Sequence, residues 1–415
     1  MLINDLAVTI TDNRRVICAT VHWEEQHFPA AQLMFEIDHD GLDGGGFDSN
    51  ASCSDRELWG SGTEADPFLC ACFPLAAVHG EARIRVEGRA CPMLAEGLRT
   101  AHAWWSSWGG MPGPAPRIET VPGDGPPAQA SGPRRGAAFL SGGVDGLHLL
   151  MCNRRLYRPR DPAYIRTAVF IHGFDIGKRA RAPEEERYRA AAARLAPVVA
   201  ETGVRLVCCR TNLRHLPSKP DFWNYRQNGS ALAAVGHAAL LGPTFLFLGA
   251  SYHAAHPVPM GSHPVVDGLF SSQRLGIIHD GVRFTRLEKV REVASWPTAL
   301  AALRVCPEGR GTKANCGRCE KCLRTRLELL ACGVDETEAL GPSLTPIEDW
   351  EAAVPVPSGH RALRYQDLLA PLRARGFETL CRMLEAKIAA YREGLANAGT
   401  NDRSTPPGSQ SGRFA

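Results

Sequence analysis

What this 415-residue chain lacks narrows its class before any motif is read. No stretch reaches the roughly 18 consecutive apolar residues that a membrane-spanning helix needs. The opening "MLINDLAVTITDNRRV" has no basic segment followed by an apolar run, so no secretory leader is expected. No sign of charge dominates: 47 Lys and Arg stand against 44 Asp and Glu, a formal net charge of +3. That weak balance argues against nucleic acid as the partner, which usually meets a far more basic domain. No internal repeat is found, so a solenoid or propeller is not expected.

What is present is the composition of a globular protein, 44% hydrophobic and 22% charged, in a chain long enough for two or three domains. Cysteine is plentiful, at 14 residues. In a chain neither small nor visibly secreted, clustered cysteines read as metal ligands and scattered ones as small buried hydrophobes. The protein reads as cytoplasmic.

Residues 1–107 carry short alternating segments such as "LAVTIT", "RRVICATVHW" and "ARIRVEG", separated by turns such as "DHDGLDGGGFD". They predict a β-rich N-terminal domain with little long helix before "CPMLAEGLRTAHAWWSSW". Residues 108–135, dense in Gly and Pro, read as a linker unable to sustain a helix or a central strand. From residue 136 apolar strands ("AAFL", "TAVFIHGF", "VRLVCCRTN", "PTFLFLGAS") alternate with helical patterns. That rhythm predicts an α/β fold, a doubly wound parallel sheet with its ligands at the C-terminal ends of the strands. Residues 336–396 predict a helical extension, and 397–415 a polar tail without fixed structure.

Two stretches carry chemistry. In "AAFLSGGVDGLHLL" a strand meets a Ser-Gly-Gly turn and then a helix. Gly142 and Gly143 let the backbone approach an anion, the Ser141 hydroxyl can donate to it, and the new helix directs free amides at the same spot. A plain strand-turn-helix junction is the alternative. The turn has neither the lysine of a γ-phosphate-transferring loop nor the spacing of a dinucleotide fold. In the second stretch, "RVCPEGRGTKANCGRCEKCLRTR", Cys306, Cys316, Cys319 and Cys322 are spaced Cys-x9-Cys-x2-Cys-x2-Cys. Four soft thiolates suit tetrahedral Zn²⁺, with no position left for a catalytic water. An iron–sulfur cluster is the competing reading. Lys313, Arg318, Lys321, Arg324 and Arg326 either balance the thiolates or solvate a surface loop.

"FLSGGVDG" resembles the Ser-Gly-Gly-x-Asp-Ser loop of the N-type ATP pyrophosphatases, the PP-loop enzymes, with Gly146 where that family usually has Ser. Together with the downstream "CGRCEKCLRTR" it resembles the 7-cyano-7-deazaguanine synthases, over roughly residues 136–335. The resemblance implies ATP cleaved between its α- and β-phosphates with Mg²⁺. Ser141, Gly142, Gly143, Val144, Asp145 and Gly146 would hold the departing pyrophosphate. Asp175, in "IHGFDIGKRARAPEEER", would lie near the nucleotide and Lys289, in "FTRLEKVREVASW", near phosphate or adenylate. Asp145 and Lys289 are the catalytic candidates. The implied reaction adenylates a carboxylate or amide oxygen, on a small deazapurine-like molecule or on a macromolecule, and then forms a C–N bond; a homodimer is also implied. A tRNA-thiolating relative and a non-catalytic nucleotide-binding scaffold are the alternatives.

Three further segments invite a role. "GASYHAAHPVPMGSHPVVDGLFSS" holds His253, His256, His263 and Asp267 after an apolar strand, and reads as a substrate pocket or as a polar loop with histidines capping turns. It lies where the synthases bind their base. "CCRTNLRHL" brings Thr211, Asn212 and Arg214 to a strand end, with Cys208 and Cys209 in the core. Phe222, Trp223 and Tyr225 read as packing aromatics, and "HAWWSSW" as a packing edge.

Overall fold

The computed structural model describes residues 1–11, 14–38, 64–111, 113–121, 133–177, 182–242, 244–306, 309, 314–341, 350, 353–356, 359 and 361–401. Most of the expected linker's centre (122–132), Lys313 and residues 402–415 of the expected tail lie outside them. The chain order begins β1 (Leu2–Thr11), β2 (Arg14–His22), β3 (Ala31–Asp38), α1 (Asp66–His79), β4 (Arg83–Val86), α2 (Pro92–Ser107) and β5 (Arg117–Thr120). Next come β6 (Arg135–Phe139), α3 (Val144–Leu156), β7 (Ile165–His172), α4 (Ala182–Thr202), β8 (Arg205–Thr211), α5 (Asn228–Ala239), β9 (Thr244–Gly249) and β10 (Leu275–Asp280). The helices α6 (Arg286–Ala294), α7 (Pro297–Ala302), α8 (Glu320–Ala331), α9 (Arg361–Ala374) and α10 (Glu378–Asn401) complete it.

The strands form one ten-stranded sheet in the order β10-β9-β6-β7-β8-β3-β2-β1-β4-β5. From β10 to β8 every pair is parallel, as alternating strands and helices require. β6 is central there: the chain winds one way through β7 and β8 and the other way through β9 and β10. The strand order therefore reverses beside the Ser-Gly-Gly turn, which is where open α/β sheets place ligands.

The sheet as a whole is mixed rather than purely parallel. β3 pairs antiparallel with β8, through Phe35 opposite Thr211 and Asp38 opposite Cys208, and β2 and β1 continue antiparallel before β4 and β5 return to parallel. Asn212 tightens the junction: its Oδ1 accepts from Met34 N at 2.9 Å and its Nδ2 donates to Gln32 O at 2.6 Å. Strand β5 lies inside the expected linker, at the sheet's edge, the place where Pro- and Gly-rich sequence still permits a strand. Helix α10 runs to Asn401, into the expected tail.

The first 107 residues hold a helix the pattern did not predict. α1 is buried at every residue from Asp66 to Val78, so it shows no amphipathic stripe, and Pro74 sits inside it. It packs in one core with both halves of the sheet, joining Ile17, Phe35, Phe68 and Trp105 to Val169, Ala234 and Leu246. The opposite face of the parallel strands carries a second core, with Leu147, Phe170, Val198 and Val290. A third core binds α8 and α6 to the C-terminal hairpin of α9 and α10.

Candidate functional site

Strand β6 ends at Phe139 and α3 starts at Val144, so the turn is only Leu140–Gly143. Gly142 has φ +78°, and a Cβ there would lie 2.9 Å from Ala302 O; both geometry and space require glycine. Gly143 is the N-cap, extended at φ −74° and ψ 155°, and no side chain caps the helix. The first intrahelical bond runs from Leu147 N to Gly143 O. The amides of Val144, Asp145 and Gly146 thus precede it at a helix start suited to an anion. Gly146 has a packing reason that the sequence reading lacked: a Cβ would sit 3.0 Å from Phe139 O. The residue lets α3 lie close on the end of β6.

Arg304 holds the turn from behind. Its N–H donates to Gly142 O at 2.8 Å and its Nε to Ser141 O at 3.0 Å. Burial pushes the Arg304 pKa down, and the charge of Asp175, exposed beyond β7, works against that shift. Asp175 lies within electrostatic reach of Arg304 and Arg214.

Asp145 stands where four elements meet. Its Oδ2 accepts from Ser251 Oγ at 3.3 Å, just past β9. Its Oδ1, buried and without a hydrogen bond among the described residues, lies 3.5 Å from Arg286 Nη1 and 3.6 Å from Lys289 Nζ, both on α6. Burial alone would raise the carboxyl; the charges of Arg286, Lys289 and Arg364 and the Ser251 bond outweigh it and hold the pKa below its ordinary value. Lys289 is 2% exposed and also donates to Ala250 O. Burial lowers its pKa, opposed chiefly by Asp145. Asp145 and Lys289, 144 positions apart in sequence, are thus one ion pair.

Of the rest of this cluster, sequence reasoning named only Arg324, as a neighbour of the cysteines, and missed Arg286, Glu328 and Arg364. Arg286 bonds Glu328 Oε2 at 3.2 Å, and Glu328 Oε1 accepts from Arg324 at 3.0 Å. Arg364, on α9, donates to Ser251 O at 3.0 Å and lies 5.2 Å from the Tyr252 ring centroid. Charged residues at helical spacing look like solvated faces until the helices are packed, so no local signal marks them.

The histidine loop divides. His253 Nδ1 accepts from Ala255 N at 3.1 Å and His263 Nδ1 from Val265 N at 3.2 Å, so both cap turns; His256 is exposed. Asp267, fully buried, accepts from Ser262 Oγ at 2.7 Å, from His263 N at 3.2 Å and pairs with His279 Nδ1 at 2.7 Å. His279, at the end of β10, was not foreseen. The four loop residues do not converge on one point. Arg214 is a packed residue, 4.2 Å from the Trp223 ring centroid and bonded to Phe174 O at 3.1 Å. Cys208, Cys209, Phe222 and Trp105 are buried, as the pattern predicts.

The four cysteines do meet. The sulfurs of Cys306, Cys316, Cys319 and Cys322 lie within 4.8 Å of one another. Cys319 and Cys306 are 3.5 Å apart and Cys316 and Cys322 4.0 Å. Tetrahedral Zn²⁺ with bonds of about 2.3 Å places sulfurs about 3.8 Å apart, so the set fits and could hold that ion. Hydrogen bonds from Cys319 and Cys322 pull the Cys306 thiol well down, and donating to Cys306 raises Cys319 to about 11. Buried Asn315 orients the first ligand: its Oδ1 accepts from Val305 N and Cys306 N, and its Nδ2 donates to Leu303 O and Ala339 O. Arg318 and Lys321 are exposed, whereas Arg324 and Arg326 are buried.

The cysteine site also bears on the turn. Cys306 is two residues from Arg304, and Cys322 opens the helix carrying Arg324 and Glu328. One metal would therefore fix both the support beneath Gly142 and the chain of ion pairs leading to Asp145. No helix among the described residues is long and apolar enough to cross a membrane. No protein-family model, curated protein or solved structure matches the chain.

Proposed function

We propose that the chain is an ATP-consuming enzyme of the PP-loop type, forming AMP and pyrophosphate while it adenylates a carboxylate or amide oxygen. The observation that carries this reading is the pairing of an uncapped α3 start, bared by Gly142 and Gly143, with Lys289 and Arg286 across Asp145. The substrate oxygen attacks the α-phosphorus of ATP; its new bond forms as the bond to the bridging oxygen of the pyrophosphate breaks. Charge then grows on the departing pyrophosphate. The amides of residues 142–146 and the Ser141 hydroxyl donate to it there, and fixed donors are most effective where charge develops. Lys289 supplies a buried positive charge on the same side. Gly146 offers no hydroxyl, but its amide remains at the helix start.

Asp145 would hold Mg²⁺, which would offset negative charge on the phosphates. The four cysteines would hold Zn²⁺ as a closed structural site. An amine or ammonia then displaces AMP, forming the C–N bond, and a deazapurine-like carboxylate is the leading substrate class by resemblance. Pyrophosphate release from ATP, measured with such carboxylates and an ammonia source, tests the reading. Substrate-dependent release supports it. No release with any substrate, in protein that still binds ATP and zinc, turns the reading to a nucleotide-binding scaffold. Iron with a visible chromophore in the purified protein would favour thiolation instead.

A further inference from the structure

Helix α9 lies beyond residue 335, outside the stretch that resembles a known family, yet it reaches the residue that bonds Asp145. It is firmly seated: Tyr365, Leu368 and Leu372 are buried against Leu323 and Leu327 of α8 and Leu287 of α6. One residue before Tyr365, Arg364 reaches Ser251, the residue whose hydroxyl also bonds Asp145. Arg286 and Arg324 share Glu328, and Lys289 has Asp145. Arg364 differs: among the described residues it pairs with no carboxylate and rests on a backbone carbonyl and the Tyr252 ring.

We propose that Arg364 is an anion-binding residue of the turn, carried there by the C-terminal hairpin to grip a pyrophosphate-type anion together with Lys289. This rests on the reading of the turn as a pyrophosphate site. The chemistry favours exchange of partners, because an arginine bonded to one neutral carbonyl gains a bidentate, charge-assisted contact on a phosphate. Burial and the charges of Arg324 and Arg286 already push the Arg364 pKa down, so an incoming anion relieves like-charge repulsion as well. The hairpin is then part of the site rather than an appendage.

The test is calorimetric binding of inorganic pyrophosphate with Mg²⁺, and separately of ATP, to the full-length protein and to Arg364→Ala, Arg364→Lys and Arg373→Ala. Arg373 lies on the same helix but is salt-bridged to Glu378 and Glu385 on its exposed side. Arg364→Ala should weaken pyrophosphate about tenfold or more, Arg364→Lys by less, and Arg373→Ala within about twofold. Arg364→Lys keeps the charge and the helix, so it reads the fork geometry even if Arg364→Ala folds poorly. Pyrophosphate affinity within about twofold of wild type in a normally melting Arg364→Ala overturns the proposal. If that holds while wild type binds ATP, the ATP reading survives alone. Arg364-dependent pyrophosphate binding without any ATP binding supports the anion site and removes the ATP reading. Wild type that binds neither overturns both.

Discussion

Asp145 and Asp66 are both aspartates in the first turn of a helix, and the protein treats them oppositely. Asp66 is fully buried where α1 meets α5: Oδ1 accepts from Cys91 N at 2.8 Å, and Oδ2, without a hydrogen bond among the described residues, lies 3.9 Å from His237 Nδ1. Burial raises its pKa to about 7, and the Cys91 amide and the charge of Arg274 only partly oppose that. Asp145 is also desolvated, but the cations from α6 and α9 outweigh the cost and keep it ionised. Burial alone makes a carboxyl neutral; a charge kept at the end of parallel strands has to be kept by other elements. The difference separates a structural junction from a site.

Breaking the supports of one region and not the other gives the largest effect. Removing the metal by chelation, or Cys319→Ser, should loosen residues 303–306 and 314–341 together with α9 and lower the melting temperature sharply, since structural zinc contributes on the order of 10 kcal/mol. Amide exchange should then rise in α8 and α9 while α1 and the strands β1–β3 stay protected; uniform exchange would show that the cysteines staple the whole fold. Next, Asp145→Asn should lower pyrophosphate release at least about 100-fold, whereas Asp66→Asn should leave turnover near wild type. Equal losses in the two variants would erase the contrast.

The Asp66 effect is smaller and belongs to stability. Its folded pKa is raised, so the native state holds a proton that the unfolded chain has released, and stability falls as pH rises from about 4 to about 7. Asp66→Asn should flatten that fall and gain roughly 2–4 kcal/mol above pH 7, measured by urea unfolding across pH. A slope unchanged by the substitution would place the titration elsewhere. Smallest is a shift in pH dependence, which Lys289→Met should show on top of its lost turnover. Lys289 helps depress the Asp145 pKa, so its loss should move the acid limb of the pH–rate profile to higher pH. An unmoved limb would assign it to another group.

How much could be read beforehand follows from how local each signal is. Gly142 was legible because a left-handed turn against Ala302 O needs glycine whatever surrounds it. The four cysteines were legible because two-residue gaps turn thiolates onto one point. β6 to β9 and α3 to α5 followed from alternating strand and helix patterns. α1 did not, because burial on every side erases the periodic stripe, and neither did the pairing of β3 with β8 or the short β10. Arg286 and Arg364 were silent for another reason. Their meaning comes from α6 and α9 packing on α8, a tertiary fact with no local pattern.

The most direct measurement is a crystal structure of the full-length protein with a non-hydrolysable ATP analogue and Mg²⁺. The account predicts the β- and γ-phosphates on the amides of residues 142–146, with Lys289 and Arg364 within hydrogen-bonding distance of them. A nucleotide bound elsewhere, or a turn left empty at saturating analogue, would contradict it.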